Sequence, residues 1–251
     1  MLVMNMKLNE IAAVLEGLEE TIIHRIIDRG QYSTNAPVYE QGSSGFSGGG
    51  EESLLDIRLK RQEEMDSEFG RFTVPEERPF CAGLPGIKRD VHNNDYGLHI
   101  DDFNAINLTA AIKAAYIEMI PAISTQGDDG QYGSSVETDV AALQAISRRI
   151  HFGAFYVAES KYLADEAGYN KLIKEKDVRG LDALLTRREV EDQILQRLRI
   201  KVNTIQSHIN TLVRRRIHPD EIIRFYRDII IPLTKQGEIQ YLLSRLNTAG
   251  Q

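Results

Sequence analysis

Residues 8–28 read LNEIAAVLEGLEETIIHRIID, and this stretch sets the fold class. Leu8, Ile11, Ala12, Leu15, Leu18 and Ile22 fall at steps of three and four, so one apolar stripe runs along a helix from about residue 7 to Asp28. Gly30 supplies the stop. The same periodicity returns downstream. It predicts helices over about 52–69, ending near Gly70, over 101–124, with Pro121 close to the end, and over 135–165. Shorter ones follow at 168–175 and 178–185, then longer ones at 187–209 and 218–247, where Pro232 is expected to kink the path. Alternating runs joined by Asn-Gly turns are missing from the sequence, as is any βαβ rhythm. The reading is an all-α chain, its helices antiparallel wherever the connections are short.

The connections have their own composition. QGSSGFSGGG (41–50) is Gly/Ser-rich and is expected to be a flexible loop. Pro75, Pro79 and Pro85 with Gly83 and Gly86 mark an irregular stretch, and QGDDGQYGSS (126–135) is a polar turn. YIEMIPAISTQGD (116–128) faintly echoes YRDIIIPLTKQGE (226–238), a thin hint of duplication.

The 251 residues carry 30 basic and 37 acidic side chains, a formal net charge of −7, which argues against a general nucleic-acid binder. A single cysteine, Cys81, excludes an internal disulfide framework and any multi-cysteine metal site. The six histidines lack metal-ligand spacing, so no metal is expected. No run of about 18 apolar residues is present, and the opening MLVMNMKLNE has no signal-peptide core, so no membrane partner and a cytoplasmic location are expected.

Phosphate-binding, dinucleotide and HExxH motifs are missing from the sequence. The richest region is SRRIHFGAFYVAESKY (147–162), which sets Arg148, Arg149, His151, Glu159 and Lys161 on an otherwise core-forming helix. Alone, that pattern reads as a charged face with its stems snorkelling over apolar surface. Thr234 and Glu238 lie four residues apart on one helix face, and Glu189, Glu191 and Asp192 open the helix near 187, where acidic residues also suit the macrodipole. Brought together inside a bundle, a cationic pair, a threonine and two glutamates can hold a compact dianion and hydrogen-bond its ether and hydroxyl oxygens. Neither a nucleophile nor a cofactor is required.

Over nearly its whole length the sequence resembles the eukaryotic-type, all-helical chorismate mutases of fungi and plants. The resemblance rests on LEETIIHRIIDR (18–29), GRFTVPEERPF (70–80), YGSSVETDVAALQAISRRIHFG (132–153), KLIKEKDVRGLDALLT (171–186), VEDQILQRL (190–198) and IIIPLTKQGEIQYLLSRL (229–246), in that order and spacing. It implies one domain over residues 1–251, a homodimer, no cofactor, and conversion of chorismate to prephenate by a Claisen rearrangement on the route to phenylalanine and tyrosine. It implies that Arg149 binds a substrate carboxylate, Lys161 donates to the ether oxygen and Glu191 accepts from the ring hydroxyl. Thr234 would help to position a carboxylate, and Glu238, protonated, would also donate to the ether oxygen.

Departures from the family pattern lead to further expectations. Ala12 stands where the N-terminal helix of the family carries an arginine, and Arg187 stands where fungal members carry asparagine, so Arg187 is a candidate for substrate binding. Arg149 and Lys161 are 12 residues apart, one more than the family spacing. At ~100° per residue the extra position rotates Lys161 away from the face of Arg149, so a one-residue π-bulge is expected between Gly153 and Ala158. Arg71, Gly133 and Ser134 match the aromatic amino-acid effector site of the family, but Gly70 and Glu137 replace an arginine and a threonine there, so a weak response to tyrosine and tryptophan is expected. Other readings are a mutase of an amino-deoxychorismate-like analogue, a family member that has lost catalysis and serves as a binding or effector protein, and a helical interaction module using VRRRIH (213–218).

Overall fold

The computed structural model describes residues 7–92 and 95–245, so MLVMNM and the last two residues of the helix expected to reach 247 lie outside the described residues. The helices are α1 Leu8–Arg29, α2 Leu54–Glu68, α3 Thr109–Ile123, α4 Tyr132–Phe152 and α5 Ala158–Ala164. They continue with α6 Glu166–Glu175, α7 Val178–Leu185, α8 Arg188–Gln206, α9 Pro219–Phe225 and α10 Ile231–Ser244. Among the described residues no strand forms beyond an isolated bridge between Ser33 and Thr125.

Local chemistry sets the helix ends. Ser53 Oγ accepts from the Asp56 amide at 3.1 Å to cap α2, and Asp165 and Asp177 cap α6 and α7 by accepting from Gly168 and Gly180. The helix expected from 101 begins only at Thr109. Asp102 and Asn107 explain the difference. Asp102 Oδ1 takes the Asn104 amide at 2.8 Å, closing a 3₁₀ turn, and Asn107 Oδ1 takes the Thr109 amide at 2.9 Å. Short polar side chains here outcompete the helical ladder. With its preceding turn, Phe103–Ile123 is long and apolar enough to cross a membrane by length and composition, yet Ile112, Tyr116, Ile120 and Ile123 of this stretch are fully buried in the protein core.

Two π-turns interrupt the long helices. The first, Gly153–Val157, joins α4 to α5 where the extra residue was expected, and the second, Tyr226–Ile230, joins α9 to α10. The expected kink at Pro232 is met by this second turn. Proline cannot donate to the carbonyl four residues back, and the wider turn just before it carries the helical path through. The echo between 116–128 and 226–238 does not extend to structure, since Pro121 closes α3 while Pro232 opens α10.

The core has two parts. The larger joins Ile22 and Ile26 of α1, Leu55 and Leu59 of α2, Leu143 and Ile146 of α4, and Leu198 and Val202 of α8. The smaller joins Ile11, Phe155, Tyr162, Leu181 and Tyr241. Each fully buried aliphatic side chain contributes roughly 1.5–3 kcal/mol. α1 and α4 make the most extensive helix–helix contact and run antiparallel, with Arg29 at the end of α1 against Asp139 near the start of α4. The first π-turn and α10 also press closely together. A Cβ on Gly153 would sit 2.6 Å from Thr234 Cγ2, and one on Gly237 would sit 2.5 Å from Ala154 Cβ. Glycine at both positions lets the two backbones approach.

Candidate active site

A cavity of about 280 Å³ opens between α1, the α4–α5 helix, α8 and α10. Apolar side chains form much of its wall, including Ile11, Leu15 and Val157, Val190, Ile194 and Ile231. The charged lining comprises five cations, Arg149, Lys161, Arg187, Arg197 and Lys235, and four carboxylates, Glu16, Glu19, Glu191 and Glu238. All five residues expected from the sequence to share one site, Arg149, Lys161, Glu191, Thr234 and Glu238, line it, and so do Arg187 and Ala12.

The first π-turn brings Arg149 and Lys161 to the same cavity despite their 12-residue separation. Lys161 Nζ donates to Glu238 Oε2 at 3.1 Å and to the Leu185 carbonyl at 3.0 Å. Burial raises the Glu238 carboxyl above the usual carboxylate range, while Lys161, Arg149 and Lys235 pull it back down. Burial is the largest cause of that rise. Arg149 differs from every other cation here. It is 4% exposed, and its Nε and Nη1 have no hydrogen-bond partner among the described residues. Burial lowers its proton affinity, although a guanidinium stays charged at neutral pH. A buried, unpartnered cation costs stability, so it marks a place for an anion.

The other residues are arranged as pairs. Glu191 Oε1 lies 3.1 Å from Lys235 Nζ, which also donates to Thr186 Oγ1 at 3.0 Å. Thr234 Oγ1 donates to the Ile230 carbonyl at 2.7 Å, so it presents an acceptor to the cavity, and serving a carboxylate requires its proton to rotate. Ala12 was expected to face inward rather than to solvent. It does both, being an exposed residue on the wall of an open cavity.

Four charged lining residues were not anticipated, Glu16, Glu19, Arg197 and Lys235. Arg197 holds the fully buried Glu19 through Nε at 3.0 Å and Nη2 at 2.6 Å, and Lys201 Nζ lies 3.3 Å from the same carboxylate. Glu16 lies 3.4 Å from the same Arg197. The signal for Glu19 was present in the sequence, because it lies four residues after Leu15 and three before Ile22, on the apolar stripe. A carboxylate placed there needs a cation from elsewhere.

The rest of the 147–162 cluster is structural. His151 Nε2 accepts from the Leu108 amide at 3.0 Å and its Nδ1 donates to the Ser147 carbonyl at 2.8 Å, while burial pulls its pKa down to about 4, so it is neutral. Glu159 takes Arg245 through two nitrogens at 2.7 and 2.9 Å and Tyr241 Oη at 2.6 Å. Arg148 faces Glu76 and Glu77. Glu189 and Asp192 are exposed on α8.

Arg71, Gly133 and Ser134 are not joined within one chain. Arg71 bonds Glu77 at 3.0 Å, Asp66 at 2.9 Å and Gln144 Oε1 at 2.7 Å. Gln144 lies ten residues beyond Ser134, roughly 15 Å along α4. Gly133 and Ser134 are exposed in the first turn of α4.

Together, an all-helical scaffold and a cavity with a waiting cation and acid–cation pairs define a class of enzyme that acts on a small anion through positioning and charge. Comparison with known proteins narrows that class. No family profile matches the chain. The chorismate mutase of Saccharomyces cerevisiae is 38% identical over 256 aligned residues, spanning 96% of this chain and 96% of the yeast protein. That of Schizosaccharomyces pombe is 36% identical over 251, spanning 96% and 97%. A crystal structure of a Candida albicans chorismate mutase in complex with L-Trp superposes with a TM-score of 0.88 at 35% identity, covering 95% of this chain and 91% of that one. The chain belongs to the chorismate mutase family.

Proposed function

We propose that the conversion of chorismate to prephenate, the reaction of this family, takes place in the α1–α5–α8–α10 cavity, with Arg149, Lys161, Glu191, Thr234 and Glu238 as its working residues. The observation that carries this assignment is the buried guanidinium of Arg149 with two unpartnered nitrogens. Chorismate is a dianion, and one of its carboxylates satisfies those donors.

The rearrangement breaks the ether C–O bond and forms a C–C bond in one concerted step. No proton is transferred and no covalent intermediate forms with the protein. The residues therefore contribute in two ways. They hold the extended substrate in the compact chair that brings the reacting carbons together, and they stabilise negative charge growing on the ether oxygen. Lys161 donates to that oxygen. Glu238, whose protonation burial favours, donates in its neutral form from the carboxyl oxygen that Lys161 does not occupy. Glu191 accepts from the ring hydroxyl, held in place by Lys235. With Glu238 neutral, the cavity lining carries an excess of two positive charges, the complement of a dianion.

Purified protein supplied with chorismate is expected to form prephenate far above the spontaneous rate. Absence of turnover would favour a member that has lost catalysis, and a strong preference for the amino-deoxy analogue would reassign the substrate. We extend the proposal to a cytoplasmic homodimer built from one domain over 1–251, checked by sedimentation and by localisation of the tagged protein. At the Arg71 region, the chain's own Asp66, Glu77 and Gln144 already occupy the guanidinium, which supports weak control by tyrosine and tryptophan.

A further inference from the structure

The cavity's cations can be matched by contact with the carboxyl groups beside them, whether or not each is ionised. Lys161 is committed to Glu238, Lys235 to Glu191, and Arg197 to Glu19 and Glu16, the last at 3.4 Å. Two cations remain without a carboxylate. Arg149 is one, at the buried end. Arg187 is the other: it lines the cavity, is exposed, and its side chain makes no hydrogen bond or ion pair among the described residues.

Arg187 also sits where stability does not call for it. It is the N-cap residue of the 19-residue α8 and its side chain caps nothing. A cation beside the positive end of a helix dipole is disfavoured, and carboxylates are preferred there. The neighbouring Arg188 is equally exposed but does not line the cavity, so the two arginines are not one solvated patch. An anion placed before Arg187 would meet both its guanidinium and the start of α8.

We infer that Arg187 is the second carboxylate anchor of this site, the exposed counterpart of the buried Arg149, and that it gives the site its preference for dicarboxylates over monocarboxylates. The inference rests on the mutase reading of the cavity. Arg149 and Arg187 then grip one carboxylate each, so the remaining Lys161 proton and the unoccupied oxygen of Glu238 serve the ether oxygen. Because Arg187 is exposed and grips a group that keeps its charge throughout the reaction, it stabilises bound substrate and transition state alike.

The test compares prephenate, with two carboxylates, against phenylpyruvate, with one, by calorimetric binding to wild type, Arg187→Gln and Arg187→Lys. Wild type is expected to favour prephenate by roughly ten-fold or more, as one charge-assisted contact predicts. Arg187→Gln should bring the ratio near unity by weakening prephenate alone, and Arg187→Lys should restore part of it. In turnover, Arg187→Gln should raise KM for chorismate roughly ten-fold with kcat little changed. An unchanged binding ratio in Arg187→Gln would overturn the inference. The binding arm needs no catalysis, so failure of wild type to form prephenate sinks the mutase reading separately.

Discussion

The antiparallel pair α1–α4 carries a buried arginine at each end, and the two have opposite surroundings. Arg29, fully buried, bonds Asp139 at 2.8 Å, Tyr39 Oη at 2.8 Å, Ser124 Oγ at 3.1 Å and the carbonyls of Ser33 and Thr34 at 3.0 Å each. Tyr39 and Tyr116 donate to Asp139 in turn, both at 2.8 Å. Arg149, nearly as buried, leaves Nε and Nη1 unpartnered. One end of the pair is closed by the chain itself and the other is left for a ligand. Burial alone therefore does not separate a structural charge from a functional one; the state of its hydrogen bonds does.

The contrast is open to direct attack. Arg29→Met should give the largest effect, because it abandons Asp139 in the core, where burial already raises that carboxyl. Loss of one partner of such a pair costs about 3–5 kcal/mol, or roughly 10 °C in Tm for a chain of this size, read by calorimetry. Arg149→Met should leave Tm unchanged or raised, since it removes an uncompensated charge, while kcat/KM for chorismate falls roughly 10²- to 10³-fold. If both arginines behave alike in Tm, the distinction fails.

Gly153→Ala probes the packing that shapes the open end. Its methyl group would strike Thr234 and lie 3.1 Å from Arg149 Nη1. A cost of about 1–3 kcal/mol is expected, together with a lower kcat/KM measured on the folded fraction. Glu238 supplies the pH dependence. Its folded pKa is raised, so the proton it donates, and the stability that protonation contributes, are both present at low pH and lost as pH rises through that value. Activity should therefore decline on the alkaline side, and Glu238→Gln, which donates at every pH, should flatten the profile. An unaltered profile in this variant would remove the protonated-donor role. The smallest effect is expected at Arg71, whose partners lie within the chain. Tyrosine or tryptophan added to the assay should change the rate less than two-fold, and several-fold inhibition at submillimolar tyrosine would contradict this.

Helix periodicity made most of the fold legible, and even the first π-turn could be read, because 12 residues between Arg149 and Lys161 do not fit one face of a regular helix. The second π-turn could not, since no pair of site residues flanked it to expose a register mismatch. The start of α3 is not legible in the periodicity, because Asp102 and Asn107 compete for the backbone that the apolar spacing alone assigns to a helix. In the site, the residues named through the family resemblance come to line one cavity, but the Glu19–Arg197 pair was not foreseen. Its members stand 178 positions apart, and only the oddity of a carboxylate on an apolar stripe pointed to it.

The first π-turn bears on how such chains change over generations. An extra residue inside a regular helix would swing everything beyond it by ~100° and dismantle a site built across it. Here the surplus is absorbed within Gly153–Val157, and the chemistry on either side keeps its alignment. The segment works as an expansion joint. Deleting one of its residues should relax it to plain α-helix with Arg149 and Lys161 still aimed at one cavity, so a one-residue change in length can be taken up inside the buried bundle itself.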